Sequence, residues 1–142
     1  MEKLRIGLVG CGRIAKNHIQ AIANNQNMLE LTAVSDIVPE RMDAAVGLYS
    51  QGKGFKPRQF RDYQDLLAGE VDAVAIATES GNHAAIALDS LAAGKHLVVE
   101  KPLALSTDHS CYDYEMIVKH STRILDTRNG TQGHDSEKIT KL

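Results

Sequence analysis

Tryptophan is missing from this chain of 142 residues, and only two phenylalanines are present. A stacking platform for nucleobases is therefore not expected. An excess of one charge is missing too. Sixteen lysines and arginines against 18 aspartates and glutamates leave a formal net charge of −2, which argues against nucleic acid or an anionic membrane as the main partner. Cysteine is scarce. Cys11 and Cys111 form no C-x-x-C pair, so a reducing cytoplasm is expected rather than a disulfide scaffold. No apolar run approaches the ~18 residues of a membrane span. The N-terminus carries no charged stretch followed by an unbroken apolar core, so no signal peptide is expected. The six histidines show no metal-ligand spacing.

What is present is enough for one packed domain. Hydrophobic residues make up 43% of the chain and charged ones 24%, and the length leaves no room for a second domain of equal size. The apolar run Leu4–Val9 predicts a buried strand. Ile14, His18, Ile19 and Ile22 recur at helical spacing and predict a helix over Ile14–Ala23. Leu29–Ser35 predicts a second strand ending at Asp36. Pro39 suits the first turn of a helix reaching about Tyr49. Gln51–Pro57 is a Gly- and Lys-rich loop, and Asp62 is placed to cap a short helix through Leu67. Val71–Ala77 is a nearly continuous apolar strand, the pattern of a parallel strand covered on both faces. A helix over His83–Ala93 closes at Gly94, His96–Val99 gives another strand, and a further helix is expected from about Ser106. Strands alternating with helices imply right-handed crossovers and a doubly wound parallel sheet of the α/β class. Residues 1–125 form this domain in the expectation. From 126 to 142 only Ile139 and Leu142 are large aliphatics, and a mobile polar tail is expected.

Ligands of doubly wound sheets bind beyond the carboxyl ends of the strands. The chemistry-bearing residues fall at those ends. Gly10 and Gly12 follow the first strand, with small Ala15 behind them. Gly10 would make a tight turn, Gly12 would admit a pyrophosphate to the backbone, and Ala15 would let helix and strand pack closely. Asp36 lies at the second strand's end, near the spacing for an acid that accepts from ribose hydroxyls; a carboxylate there favours NAD over NADP. The same residue is also a natural turn residue before the Pro39 helix. Arg13 suits a pyrophosphate contact or simple solvation. Thr78 and Ser80 follow the Val71–Ala77 strand and would line a nicotinamide ribose; Ser80 or Asn82 would equally cap the helix. His83 would reach the cofactor edge or serve the first helical turn. Lys101, held between Glu100 and Pro102, would hydrogen-bond a reacting hydroxyl or carbonyl, or be solvated like most lysines after strands.

Gly-Cys-Gly-Arg-Ile-Ala-Lys-Asn-His, the Ser35-Asp36 strand end, Thr78–His83 and Glu100-Lys101-Pro102 together resemble the glucose–fructose oxidoreductase/inositol dehydrogenase (Gfo/Idh/MocA) family over about Leu4 to Leu105. The resemblance implies a Rossmann fold and an NAD(P)-dependent oxidoreductase acting on a sugar, cyclitol or sugar nucleotide. Hydride would pass between a carbinol carbon and the nicotinamide. It maps Gly10, Gly12, Arg13, Ile14 and Asp36 to cofactor contacts. Thr78, Ser80 and His83 map to the nicotinamide side, Glu100 to a cofactor contact, and Lys101 to the active-site lysine, which contacts both cofactor and substrate. The family's second domain, which carries much of the substrate pocket, has no counterpart here. The sequence departs from the family from about Cys111, with Ser121–Leu125 as a relic of a sixth strand. The resemblance therefore implies a truncated or frame-shifted member, with self-association through uncovered surface. Two alternatives remain beside it: a non-catalytic NAD-binding module, and an S-adenosylmethionine methyltransferase with a similar glycine turn and strand-two acid.

Overall fold

The protein is described from a computed structural model, which covers residues 2–51, 54–99, 124–126, 137 and 139–141. Five parallel strands form one sheet: β1 (Leu4–Val9), β2 (Leu29–Ser35), β3 (Arg58–Phe60), β4 (Ala73–Ile76) and β5 (His96–Val99). Their order across the sheet is β3-β2-β1-β4-β5. The chain thus builds outward from β1 in one direction, then crosses over and builds outward in the other. The helices between the strands are α1 (Ala15–Asn24), α2 (Pro39–Ser50), α3 (Tyr63–Leu67) and α4 (Ser80–Ala92).

Alternation along the strands feeds two separate cores. Ile6 and Leu8 of β1 and Ala73 and Ala75 of β4 pack with Ala15, Ile19 and Ile22 of α1 and with Met42, Val46 and Tyr49 of α2. Val9, Val74 and Ile76 point to the other face and pack with Leu66 and Leu67 of α3 and Ile86 and Ala87 of α4. Two helices therefore cover each face, which is why β4 reads as an unbroken apolar run. The buried stripe of α1 is Ala15, Ile19 and Ile22, whereas Ile14 precedes the helix and is exposed.

Two features stiffen the sheet. The β1–β2 register shifts between Ile6 and Gly7, so that Thr32 is passed over. The Leu31 N–H, in a fully buried residue, donates to the Tyr49 hydroxyl on α2 at 3.1 Å. At the amino end of the sheet, the Arg5 guanidinium donates to both carboxylate oxygens of Asp72, at 3.0 and 2.7 Å, and the Arg5 backbone N–H adds a third bond at 2.8 Å. Hydrogen bonds from Arg5 hold the Asp72 carboxyl at about 2, below its ordinary 3.8.

Several boundaries differ from expectation. β3 was not foreseen. With one apolar residue in three, it owes its extended form to pairing with β2. α4 starts at Ser80 rather than His83, with Glu79 in the cap position and no side-chain cap, so neither Ser80 nor Asn82 caps it. Asp62 does cap α3, accepting from the Gln64 N–H at 2.9 Å. Gly94 ends α4 at φ 72°. A separate two-stranded parallel sheet joins β6 (Ile124–Asp126) to β7 (Ile139–Lys141). The expected sixth strand thus pairs with β7. The stretch expected as a tail contains a strand, supported by the β-branched pair Ile139-Thr140. The helix expected from Ser106 lies outside the described residues. Among the described residues no helix is long and apolar enough to cross a membrane.

Candidate cofactor site

The strands end level with one another. Val9 sits opposite Ser35 and Ile76; Ser35 sits opposite Phe60, and Ile76 opposite Val99. The residues that follow β1, β2, β3 and β4 therefore line up along one edge of the sheet. Between β1 and β4, where the direction of building reverses, the two connections leave to opposite faces and open a crevice. A cleft of about 1130 Å³ occupies this edge, lined by Gly10, Gly12, Arg13 and Ile14 on one side and Ala77, Thr78, Glu79 and Asn82 on another. Its far end reaches Asp36, Ile37, Arg41, Arg61 and Tyr63.

Gly10 is required by conformation and by space. Its φ is +93°, and a Cβ there would lie 2.6 Å from the Ala77 carbonyl carbon and 2.7 Å from the Thr78 nitrogen. The β1 and β4 turns touch backbone to backbone at this point. Gly12 differs: a Cβ there meets nothing within 4 Å. The open space at Gly12 is on the cleft side, where the resemblance puts a pyrophosphate. Behind it Ala15 is 1% exposed, so the small residue does admit the helix to the sheet.

Hydrogen bonds tie this turn to the end of β2. The Gly10 N–H donates to the Ser35 carbonyl at 2.8 Å, and the Cys11 N–H donates to Asp36 Oδ2 at 2.8 Å. Asp36 Oδ1 accepts from the Val38 N–H at 2.9 Å. Among the described residues, no such partner meets the N–H groups of Gly12 and Arg13. They stand at the start of α1, where the helix end favours an anion. The Cys11 thiol turns inward, 3.8 Å from the Ser35 carbonyl. Burial, with the nearby Asp36 carboxylate, pushes it up to about 12.

Gly10, Gly12, Arg13, Ile14, Asp36 and Thr78 are thus brought to one cleft. His83 and Ser80 are not in its lining. His83 is buried, and its Nε2 lies 2.7 Å from the Thr78 carbonyl, so that it donates there and braces the β4–α4 turn from behind. Glu100 and Lys101 follow β5 in sequence and lie outside the described residues. Sequence reasoning missed Arg41 and Arg61. Arg41 follows Pro39 in the first turn of α2, a signal available from the strand–helix pattern. Arg61 follows β3, so it was hidden with that strand. Among the described residues no group of His, Cys, Asp or Glu is arranged to hold a metal ion.

Residues 4–125 match the GFO_IDH_MocA family, described as an oxidoreductase family with an NAD-binding Rossmann fold. The chain belongs to that family. An inositol 2-dehydrogenase of Burkholderia multivorans is 33% identical over 123 residues, which is 86% of this chain and 35% of that protein. Among solved structures, the WlbA dehydrogenase of Bordetella pertussis, in complex with NADH and UDP-GlcNAcA, is 44% identical. That match covers 72% of this chain and 29% of the other, with a TM-score of 0.64. The myo-inositol dehydrogenase of Lactobacillus casei, in complex with NAD(H) and myo-inositol, is 26% identical. It matches over 99% of this chain and 36% of its own, with a TM-score of 0.68. The chain therefore spans about a third of the length of these relatives. Family membership decides against the methyltransferase alternative.

Proposed function

We propose that residues 1–125 form the NAD(H)-binding domain of a cytoplasmic oxidoreductase acting on a cyclitol, sugar or sugar nucleotide. The observation that carries this reading is the cleft at the β1/β4 reversal, with an open Gly12 on one wall and Asp36 at its end. The N–H groups of Gly12 and Arg13, without a partner among the described residues, suit a pyrophosphate. Asp36 suits a ribose diol, since each of its oxygens keeps a lone pair beyond the bond it already accepts. Thr78 and Asn82 offer polar groups along the opposite wall. Bound NAD would supply the hydride-accepting ring. The chain's contribution is to hold it at the sheet edge, level with the end of β5 at Val99. The inositol and UDP-sugar ligands of the relatives support a polyol-type substrate, with Lys101 at its oxygen. Cys11, buried and unpaired, is consistent with a reducing compartment.

Calorimetric titration with NADH, NADPH and S-adenosylmethionine tests the reading. NADH is expected to bind tightest and S-adenosylmethionine not at all. Preference for NADPH would remove the role given to Asp36. Binding without turnover of inositols or nucleotide sugars is the expected outcome for the 142-residue chain. The relatives align with it over about a third of their length only, and positioning a substrate is worth about 7–11 kcal/mol of barrier.

A further inference from the structure

We propose that Asp36 is a positioning residue for the glycine turn, acting on the cofactor's pyrophosphate through the Cys11 N–H as well as on its ribose. This inference rests on the dinucleotide reading above. Both carboxylate oxygens are engaged before any ligand arrives. Oδ2 accepts from Cys11, in the β1–α1 turn, and Oδ1 accepts from Val38, at the start of α2. One half-buried side chain thereby joins two turns that are 25 residues apart in sequence. The neighbouring bond, Gly10 N–H to the Ser35 carbonyl, fixes the last rung between β1 and β2. Cys11 is one residue further on. There the strands have ended, and no backbone carbonyl of β2 takes its N–H; the carboxylate does. Cys11 is flanked by Gly10 and Gly12, the two residues with the widest backbone freedom. Without that bond the Gly12 and Arg13 peptides at the cleft wall would have no anchor on the β2 side beyond the Gly10 rung.

The chemistry of the latch is specific. It needs two acceptors on one short side chain. An aspartate supplies them, whereas asparagine supplies one acceptor and turns a donor toward the other N–H. Asp36→Asn therefore keeps shape and volume, loses the charge, and must break one of the two bonds. The loosened turn must then be ordered each time a pyrophosphate binds, and that ordering cost appears as lost affinity.

The test is a cycle between protein and ligand. NADH and an NADH analogue lacking both hydroxyls of the adenosine ribose are titrated into the wild-type chain and Asp36→Asn. Amide hydrogen exchange of Cys11 and Val38 is followed in both proteins without ligand. With the latch, the variant loses about tenfold or more in affinity for the analogue as well as for NADH. The Cys11 amide, protected in the wild type, exchanges faster in the variant while the amides of β1 and β4 hold their rates. An Asp36→Asn protein that binds the analogue as the wild type does would show that Asp36 acts on the ribose alone, and the proposal would fall. A Cys11 amide unprotected in the wild type would overturn it equally. Should wild-type chain bind neither ligand, the cofactor reading fails, and the exchange rates in the two proteins still decide for or against the latch. Asp36→Ser, with a single acceptor, serves the same comparison if Asp36→Asn does not fold.

Discussion

Gly10 and Gly12 sit two residues apart and do different jobs, so substituting them separates folding from binding. At Gly10 a methyl group would meet the backbone of Ala77 and Thr78 at 2.6–2.7 Å, at a φ of +93°. Neither neighbour is a side chain that can swing away. Gly10→Ala is expected to cost roughly 2–5 kcal/mol of stability, read as a shifted denaturant midpoint. At Gly12 a side chain meets open space. Gly12→Val is expected to keep the wild-type midpoint and circular dichroism while abolishing NADH binding in the same titration. Cys11, between them, adds a pH dependence. Its thiol titrates at 9.0 when unfolded and about 12 in the fold. The folded state therefore keeps the proton that the unfolded chain releases. The contribution is whole below pH 9 and declines as pH rises toward 12. Unfolding free energies measured across that window are expected to fall more steeply for wild type than for Cys11→Ala. Iodoacetamide at pH 8 should leave Cys11 unmodified until denaturant is added, as read by peptide mass spectrometry.

At the level of elements, the strong patterns were legible and the weak ones were not. β1, β2 and β5 are rich in large aliphatic residues, and their observed ends coincide with those expected. Pro39 and Asp62 marked two helix starts because their chemistry is local: a fixed φ and a carboxylate for an orphan N–H. The start of α4 was misplaced because Ser80-Gly81-Asn82 has weak intrinsic helix preference. Burial of Ile86 and Ala87 against β4, and of His83 behind Thr78, outweighs it. β3 had no signal at all, since its extended form comes from β2. The β1–β2 irregularity was equally hidden. So was the Tyr49 hydroxyl as acceptor, which receives the Leu31 N–H from across the core. Tyr49→Phe leaves that buried donor unsatisfied and should destabilise by about 1–3 kcal/mol. Because Tyr49 lies in α2 and outside the cleft lining, NADH affinity of the folded protein should stay within experimental error of wild type.

For the whole molecule, the glycine turn and Asp36 could be placed from sequence because each follows a strand with a clear pattern. That Asp36 also holds Cys11, that His83 turns inward to Thr78, and that Arg41 and Arg61 share the cleft depend on how separate connections approach, which no local pattern carries. The order β3-β2-β1-β4-β5 has a further consequence, in time rather than in space. β1 meets β2 across a short loop, as in the 25-residue separation of Cys11 and Asp36, but meets β4 across a long one, as in the 67-residue separation of Arg5 and Asp72. Closing the longer loop costs more entropy. One wall of the cleft is therefore assembled early and the other late, and a ligand that needs both arrives after the sheet is complete. Saturating NADH is expected to slow unfolding in stopped-flow mixing and to leave the refolding rate unchanged. Faster refolding with NADH would mean that both walls already stand at the barrier. The strand that founds the sheet is thus the one whose surroundings are finished last, and the cofactor acts as a lock on a finished fold rather than as a template for making it.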